Sequence, residues 1–386
     1  MAASRLAQLD AGDARRLGHI PALDGVRALA IVFVMLLHFS SPWRRGEYGA
    51  FAGGYVGVDV FFVLSGFLIT SLLVGEQAAR GGVSLVAFYA RRVLRLLPAL
   101  VLLLIAHAVF VQRTSGDMET EAKSVAVILL YVSNLAQAAG FDELLGSSLS
   151  FTWSLSIEEQ FYLLWPAILL LGALRFAPSR RVLLAGLAIA ALASGALRAY
   201  TWLHEADYVA AYMRTDGRVD GLLIGALAAF AWRWRLVPTR YLNVAATGSL
   251  VLLVTVATFA TKPGDAMFTF GFTGVALAAA VIVVAIAEDA WSLTALFATA
   301  PLRAIGRVSY GLYLWQGLSL RIALRTFRFD HGPLAIATLA LGICVLAVVT
   351  SWFAVERPAL RLKQRFESVP SGSEPLGVAG QHEADA

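Results

Sequence analysis

Residues 54–75 of this chain read GYVGVDVFFVLSGFLITSLLVG. The stretch is as long as the roughly 20 residues that an α-helix needs to cross a bilayer. Its one charged residue is Asp59. Lipid offers the backbone no hydrogen-bond partners, so an apolar run of this length is typical of a helix that satisfies its own backbone groups. We therefore predict a transmembrane helix here.

Similar apolar runs lie on both sides of this one. Basic residues flank both chain ends, so the positive-inside rule places both ends in the cytoplasm and requires an even number of spans. We predict about ten spans, with the shorter and more polar run 122–138 forming a peripheral or re-entrant helix. This arrangement places 19 Lys or Arg residues on the cytoplasmic side and 9 on the other. The fold class is therefore an all-α polytopic transmembrane bundle. The predicted spans are 24–42, 54–75, 97–112, 152–174, 182–203, 217–232, 241–261, 268–287, 304–324 and 333–354.

Composition supports a membrane protein. Hydrophobic residues make up 59% of the chain, charged residues 15%, and the mean hydropathy is +0.71, whereas soluble domains carry about 25% charged residues. The net charge of +5 comes from arginines between apolar segments, which is the distribution of topology signals and not of a nucleic-acid-binding face. The single cysteine, Cys344, excludes an intrachain disulfide and a thiolate-rich metal cluster, and no metal site is expected.

Three regions follow from these patterns. Residues 1–19 are expected to be a cytoplasmic lead-in, residues 20–365 the transmembrane domain, and residues 366–386 a disordered tail, because that last segment is too polar to bury a core. We expect a multi-pass protein of the plasma (inner) membrane that contacts membrane lipids.

Charged side chains inside spans are costly and are therefore candidates for function. Arg27 and His38 lie eleven positions apart in the first span, so they share a helix face and are separated by about 16 Å along its axis. Counted from the predicted span ends, His38, Asp59, Glu158 and Glu159 lie in one layer of the membrane. Adjacent helical positions diverge by about 100°, which predicts that Glu158 and Glu159 do not both face one point.

A neutral imidazole beside a carboxylate is a common arrangement for activating a hydroxyl group. We therefore take His38, Asp59, Glu158 and Glu159 as candidate catalytic residues. The structural alternative is that these groups only join neighbouring helices by hydrogen bonds.

Arg91, Arg92 and Arg95 lie together before an apolar run. Guanidinium groups bind phosphate bidentately, so this cluster suits a polyphosphate ligand, with Arg27 nearby. The alternative is a juxtamembrane topology signal or a contact with anionic lipid.

Together these residues resemble a known family, the acyltransferase-3 integral membrane O-acyltransferases. The resemblance covers nearly the whole transmembrane region, in the family's order, and FTWSLSIEEQFYLLWP is its most specific motif. The motifs are LDGVRALA at 23–30, GVDVFFVLSGFLIT at 57–70, RRVLRLLP at 91–98, FTWSLSIEEQFYLLWP at 151–166, RVDGLLIGALAA at 218–229 and SYGLYLW at 309–315.

The resemblance implies transfer of an acyl group, which we expect to be acetyl, from cytoplasmic acyl-CoA to a hydroxyl of a sugar, glycan or glycosylated natural product. No tightly bound cofactor is implied; acyl-CoA is the donor substrate. Arg27, His38, Arg92 and Arg95 match functional positions of the family, as does a glutamate of the IEEQ motif. We expect acceptor-binding or structural roles for five further residues, Arg218, Asp220, Tyr310, Trp315 and Gln316.

One position departs from the family. Members often carry histidine shortly after the SYxLYL stretch, where this chain has Gln316. Glutamine forms hydrogen bonds but does not titrate usefully. This departure favours His38 as the base, or else indicates an altered acceptor or a reduced activity.

Two other classes of function remain. A proton-coupled transporter also uses intramembrane His, Asp and Glu residues, but such folds often contain repeats, and none is evident here. A scaffold or lipid-binding protein would leave the layer of polar groups and the arginine cluster unexplained.

Overall fold

The structure is a computed structural model that describes residues 18–40, 51–173, 179–327 and 332–363. Its elements are helices, and no β-strand occurs within these ranges. The predicted all-α class is confirmed. Apart from residues 18 and 19, the predicted lead-in 1–19 and the tail 366–386 lie outside the described residues.

The α-helices are α1 (Pro21–Phe39), α2 (Val56–Arg80), α3 (Leu85–Thr114), α4 (Met118–Leu129), α5 (Ser133–Ala138), α6 (Gly146–Leu149), α7 (Thr152–Ala167), α8 (Arg180–Tyr200), α9 (Tyr208–Met213), α10 (Thr215–Arg218), α11 (Asp220–Arg233), α12 (Leu242–Phe259), α13 (Phe272–Ala287), α14 (Thr294–Phe297), α15 (Ala300–Arg307), α16 (Ser309–Phe327), α17 (Pro333–Ser351) and α18 (Arg357–Lys363). Short 3₁₀ segments cover Ala52–Tyr55, Asp142–Leu144 and Thr239–Tyr241, and π-helical segments cover Ile168–Ala173, Thr201–Glu205, Met267–Gly271 and Trp352–Glu356.

Seven helical segments in the described ranges are long and apolar enough to cross a membrane. They coincide with seven of the ten predicted spans. The other three predicted spans are helical, but α11 has only 14 residues, and α7 and α16 contain polar motifs. The count of ten spans therefore stays a prediction. The seven segments are Pro21–Phe39, Ala52–Arg80, Leu85–Thr114, Arg180–Glu205, Thr239–Phe259, Met267–Ala287 and Pro333–Leu362.

The run 122–138 forms two short helices, α4 and α5, of 12 and 6 residues. Neither approaches the length of a bilayer span. The chain turns between them at Tyr131, whose φ of 54° is left-handed. The Tyr131 carbonyl accepts a hydrogen bond of 2.8 Å from the side-chain amide of Gln160 on α7, so this turn packs against the bundle.

Helix α2 lies at the centre of the bundle. In its most apolar stretch 83% of the residues are buried, compared with 22% for Thr239–Phe259. Helices α2 and α11 pack backbone to backbone: a Cβ at Gly66 would overlap the Leu222 carbonyl, and a Cβ at Gly225 would overlap the Val63 carbonyl. Small residues at a helix crossing allow this approach, which is a common way for membrane helices to associate.

Candidate functional site

A cavity lies where α1, α2, α3, α7 and α16 meet. Its lining combines cations, carboxylates and tyrosines with apolar side chains. The lining residues are Arg27, Val58, Phe61, Phe62, Arg92, Arg95, Leu96, Tyr131, Ser154, Leu155, Glu158, Glu159, Tyr162, Ser309, Tyr310 and Tyr313.

Three predicted donor-binding arginines meet in this cavity. Arg27 comes from α1, and Arg92 and Arg95 lie one turn apart on α3. The Arg92 guanidinium lies 5.0 Å from the ring centroid of Tyr162, which holds it by a cation–π contact. Arg27 Nε is buried and has no hydrogen-bond partner among the described residues. A buried donor of this kind can bind an incoming anion.

Arg91 lies elsewhere. Its guanidinium forms an ion pair of 3.3 Å with Glu76 of α2, and it does not line the cavity. Successive helical residues point about 100° apart, so Arg91 and Arg92 leave α3 in different directions. The structure thus separates Arg91 from the other three arginines of the predicted set.

Both glutamates of the IEEQ motif line the cavity. Ser65 Oγ of α2 donates a hydrogen bond of 2.7 Å to Glu158 Oε1. Adjacent positions of α7 thus reach the same cavity, and the expectation that Glu158 and Glu159 do not face one point within it stays a prediction.

The layer predicted for His38 and the glutamates stays a prediction. The glutamates share the cavity with Arg27, which lies about 16 Å along α1 from His38. His38 is in the last turn of α1, where its Nδ1 lies 2.8 Å from the Val34 carbonyl, and it does not line this cavity. Helix α7 begins inside the protein, since its first residue, Thr152, is 1% exposed.

Asp59 also lies outside the cavity lining. Its Oδ1 accepts a hydrogen bond of 2.8 Å from Arg218, and both side chains are buried. The Arg218 guanidinium lies 3.8 Å from the ring centroid of Phe272 on α13. These contacts join α2, α10 and α13. They support a structural role for Asp59 and Arg218, which is the alternative to a role in catalysis or acceptor binding.

A second buried ion pair adjoins the first. Arg198 of α8 donates to Asp220 Oδ2 over 2.8 Å, and Thr273 donates to the same oxygen over 2.7 Å. Arg198 was missed by the sequence reasoning. The signal was present, since Arg198 is an arginine well inside the predicted span 182–203.

Helix α16 contributes to the cavity through its first two turns. Tyr310 lines it and donates a hydrogen bond of 3.0 Å to the Leu96 carbonyl of α3. Tyr313, which the sequence reasoning did not single out, also lines it and donates to the Phe151 carbonyl over 3.0 Å. Trp315 and Gln316 are not part of the lining. Gln316 is fully buried, and its amide nitrogen and oxygen have no partner in the described part of the chain.

The site as a whole is a buried cationic pocket inside a multi-pass membrane bundle, with carboxylates and phenols beside it. Such a pocket suits an anionic ligand that also carries a reactive, less polar part. This places the chain among multi-pass membrane proteins with an internal polar cavity.

Comparison with known proteins identifies the family. The family model described as an acyltransferase domain matches residues 20–356, so the chain belongs to this acyltransferase family. No solved structure matches the chain.

Three curated relatives illustrate the similarity. The chain is 32% identical over 88% of its length to the peptidoglycan O-acetyltransferase OatA of Listeria monocytogenes serovar 1/2a, and covers 56% of that protein. It is 32% identical over 77% of its length to the O-acetyltransferase OatA of Staphylococcus aureus strain NCTC 8325, covering 50% of it. A putative O-acetyltransferase of Staphylococcus aureus strain COL is 28% identical over 89% of this chain, with 58% covered. The chain thus spans little more than half the length of these relatives.

Proposed function

We propose that this protein transfers an acetyl group from acetyl-CoA to a hydroxyl of a sugar or glycan. One observation carries the proposal: three guanidinium groups from two helices line one internal cavity with two carboxylates. Membership of the acyltransferase family supports the reaction class, and the names of the relatives support acetyl as the group and a glycan as the acceptor class.

The donor is assigned to the cationic cavity. Arg92 and Arg95 lie one turn apart and Arg27 approaches from α1, so several charge-assisted hydrogen bonds to phosphate oxygens are available. In our proposal the phosphates of CoA bind here, and the thioester extends along α1 toward His38. Glu158 and Glu159 balance the arginine charge while the donor is absent.

The orientation of the protein fits this assignment. With both termini in the cytoplasm, as the basic residues predict, α3 enters the membrane from the cytoplasmic side with Arg92 and Arg95 near its start. Acyl-CoA would then reach the cavity from the cytoplasm. Location in the plasma membrane belongs to the same proposal.

His38 is proposed as the general base. Its neutral imidazole would take the proton of the acceptor hydroxyl as the oxygen attacks the thioester carbon. The carbon–sulfur bond then breaks, and the CoA thiolate takes that proton from His38, which returns to its neutral form. The position of His38 on α1, away from the arginines, suits the thioester end of the donor and not its phosphate end.

The experiment that tests this function uses purified protein, acetyl-CoA and glycan fragments such as muropeptides. We expect release of CoA thiol together with a glycan product heavier by one acetyl group in the mass spectrum. Substrate transport without acetylated product would contradict the proposal and favour the transporter.

A further inference from the structure

A second polar cavity lies toward the opposite end of α3 from Arg92 and Arg95. It receives side chains from α3, α4, α6 and α16. His107, Glu121 and Ser148 line it, and each is less than 8% exposed. Leu96 of the first cavity and His107 are eleven positions apart, so the two cavities are about 16 Å apart along α3.

The three side chains form a continuous hydrogen-bonded chain. His107 Nδ1 lies 2.9 Å from Glu121 Oε1 and 3.0 Å from Oε2, and His107 Nε2 lies 2.9 Å from Ser148 Oγ. An ionised carboxylate only accepts hydrogen bonds, so Nδ1 carries the proton that faces Glu121. In the neutral imidazole Nε2 is then the acceptor, and the Ser148 hydroxyl donates to it.

This is the arrangement of an activated serine nucleophile: a hydroxyl, a base within hydrogen-bond reach, and a carboxylate that orients the base. It is recognised by geometry and not by sequence, and residues 146–150, GSSLS, do not form the G-x-S-x-G motif. A structural His–Glu pair would also have both ring nitrogens hydrogen-bonded, because buried polar groups normally are. The cavity beside Ser148 is the feature that gives its hydroxyl access to a substrate.

The chain holds this arrangement through local structure. Asp117 caps α4 by accepting a hydrogen bond of 3.1 Å from the Thr120 backbone, which places Glu121 in the first turn of that helix, facing α3. Arg321 and Arg325, one turn apart on α16, line the same cavity. Their positive charge favours the oxyanion that forms when a serine attacks an acyl carbonyl.

We propose that Ser148, His107 and Glu121 form a second acyl-transfer site, which takes acyl esters as substrates. Ser148 Oγ attacks the ester carbonyl while its proton passes to His107 Nε2. The carbon–oxygen bond of the ester breaks, and the leaving alcohol takes that proton. Water then attacks the acyl-serine, giving its proton to His107; the acid leaves, and Ser148 recovers its proton. This site is independent of the acetyl-CoA reaction.

A fluorophosphonate probe, which reacts with activated serines, tests the proposal on the full chain in detergent. We expect labelling of the wild type at Ser148, located by mass spectrometry of the labelled peptide. Ser148→Ala abolishes it, whereas Ser150→Ala, which changes a serine outside the cavity lining, leaves the rate unchanged. His107→Gln lowers the rate on the order of 10³-fold or more.

Glu121 is a positioning residue, and two substitutions separate this role from a structural one. Glu121→Asp keeps a carboxylate and retains labelling within about tenfold, whereas Glu121→Gln allows the wrong imidazole tautomer and lowers the rate on the order of 10³- to 10⁴-fold. Both variants must elute as single species with wild-type helical circular dichroism. Equal rates in the two would overturn the role of Glu121.

Ester hydrolysis gives a second readout that needs no acyl-CoA. Wild-type protein is expected to release nitrophenol from 4-nitrophenyl acetate with a burst and to carry an acetyl group on Ser148. Absence of probe labelling at Ser148 in folded wild-type protein would overturn this inference and leave the acetyl-CoA proposal untouched.

Discussion

Arg91 and Arg92 are neighbours in the sequence but have different environments. Arg91 pairs with Glu76, while Arg92 lies in the cavity with Arg95 and Arg27. The sequence indicated an arginine cluster and its polyphosphate chemistry, because residue type alone carries that information. It could not separate Arg91 from the others, since the direction of each side chain depends on how α3 is rotated against α2 and α7.

The proposed base gives the first prediction. His38→Ala and His38→Gln should each lower turnover of acetyl-CoA by about 10² to 10⁴, because the acceptor hydroxyl loses its proton acceptor. Turnover is measured at saturating acetyl-CoA, with CoA binding shown to match that of wild type. Near-normal turnover in both variants would remove His38 from the chemistry.

Asp59 gives a second prediction, about stability. Asp59→Asn should lower the free energy of unfolding by about 3–5 kcal/mol, because it leaves the buried Arg218 charge without its partner. The exposed pair between Arg214 and Asp216 is the matched control, and Asp216→Asn should cost less than about 1 kcal/mol. Unfolding of both variants is followed in one detergent, and equal losses would contradict the structural role of Asp59.

At the scale of the helices, the length of the apolar runs predicted the long helices. The segment Ala52–Arg80 covers the quoted stretch 54–75, and the span 268–287 corresponds to Met267–Ala287. The elements that cover a helix end were not predictable in the same way. Helix α7 starts beneath other elements, with Thr152 and Trp153 buried, and a count of residues from a hydropathy boundary contains no information on what covers a helix end.

The crossing of α2 and α11 gives a third prediction. Gly66→Ala and Gly225→Ala should each destabilise the protein by about 1–3 kcal/mol, because the added methyl group overlaps a carbonyl of the facing helix. Gly186→Ala on α8 is the control, since its Cβ would meet nothing within 4 Å. Stability is compared by thermal unfolding in detergent. If Gly66→Ala and Gly225→Ala are as stable as Gly186→Ala, α2 and α11 are not packed backbone to backbone.

For the molecule as a whole, the number of membrane spans is constrained by the distribution of basic residues as well as by helix length. Within the described ranges, seven helical segments are long and apolar enough to cross a membrane, but the positive-inside rule requires an even number of spans when both ends are cytoplasmic. Of the three remaining predicted spans, two carry polar site motifs in α7 and α16, and the third contains α11, which has only 14 residues.

Topology is therefore the fourth prediction. Cysteines at positions 178 and 238 in a Cys344→Ala background should resist a membrane-impermeant thiol reagent applied from outside the cell, because the ten-span arrangement places both in cytoplasmic loops. A cysteine at Lys262, in a loop predicted on the opposite side, should be labelled and serves as the control. Labelling at 178 or 238 in sealed cells would contradict ten spans.

If the cationic cavity binds the phosphates of CoA, three single arginine variants should differ in their affinity for CoA, which calorimetry on folded protein measures. Arg92→Ala and Arg95→Ala should each lose on the order of 1.5–3 kcal/mol of binding free energy, or about 10- to 150-fold in affinity, whereas Arg91→Ala should bind like wild type. Each substitution removes one positive charge from about one turn of α3, but Arg91 pairs with Glu76 whereas Arg92 and Arg95 line the cavity. Equal affinity in all three variants would show that the cavity does not bind CoA.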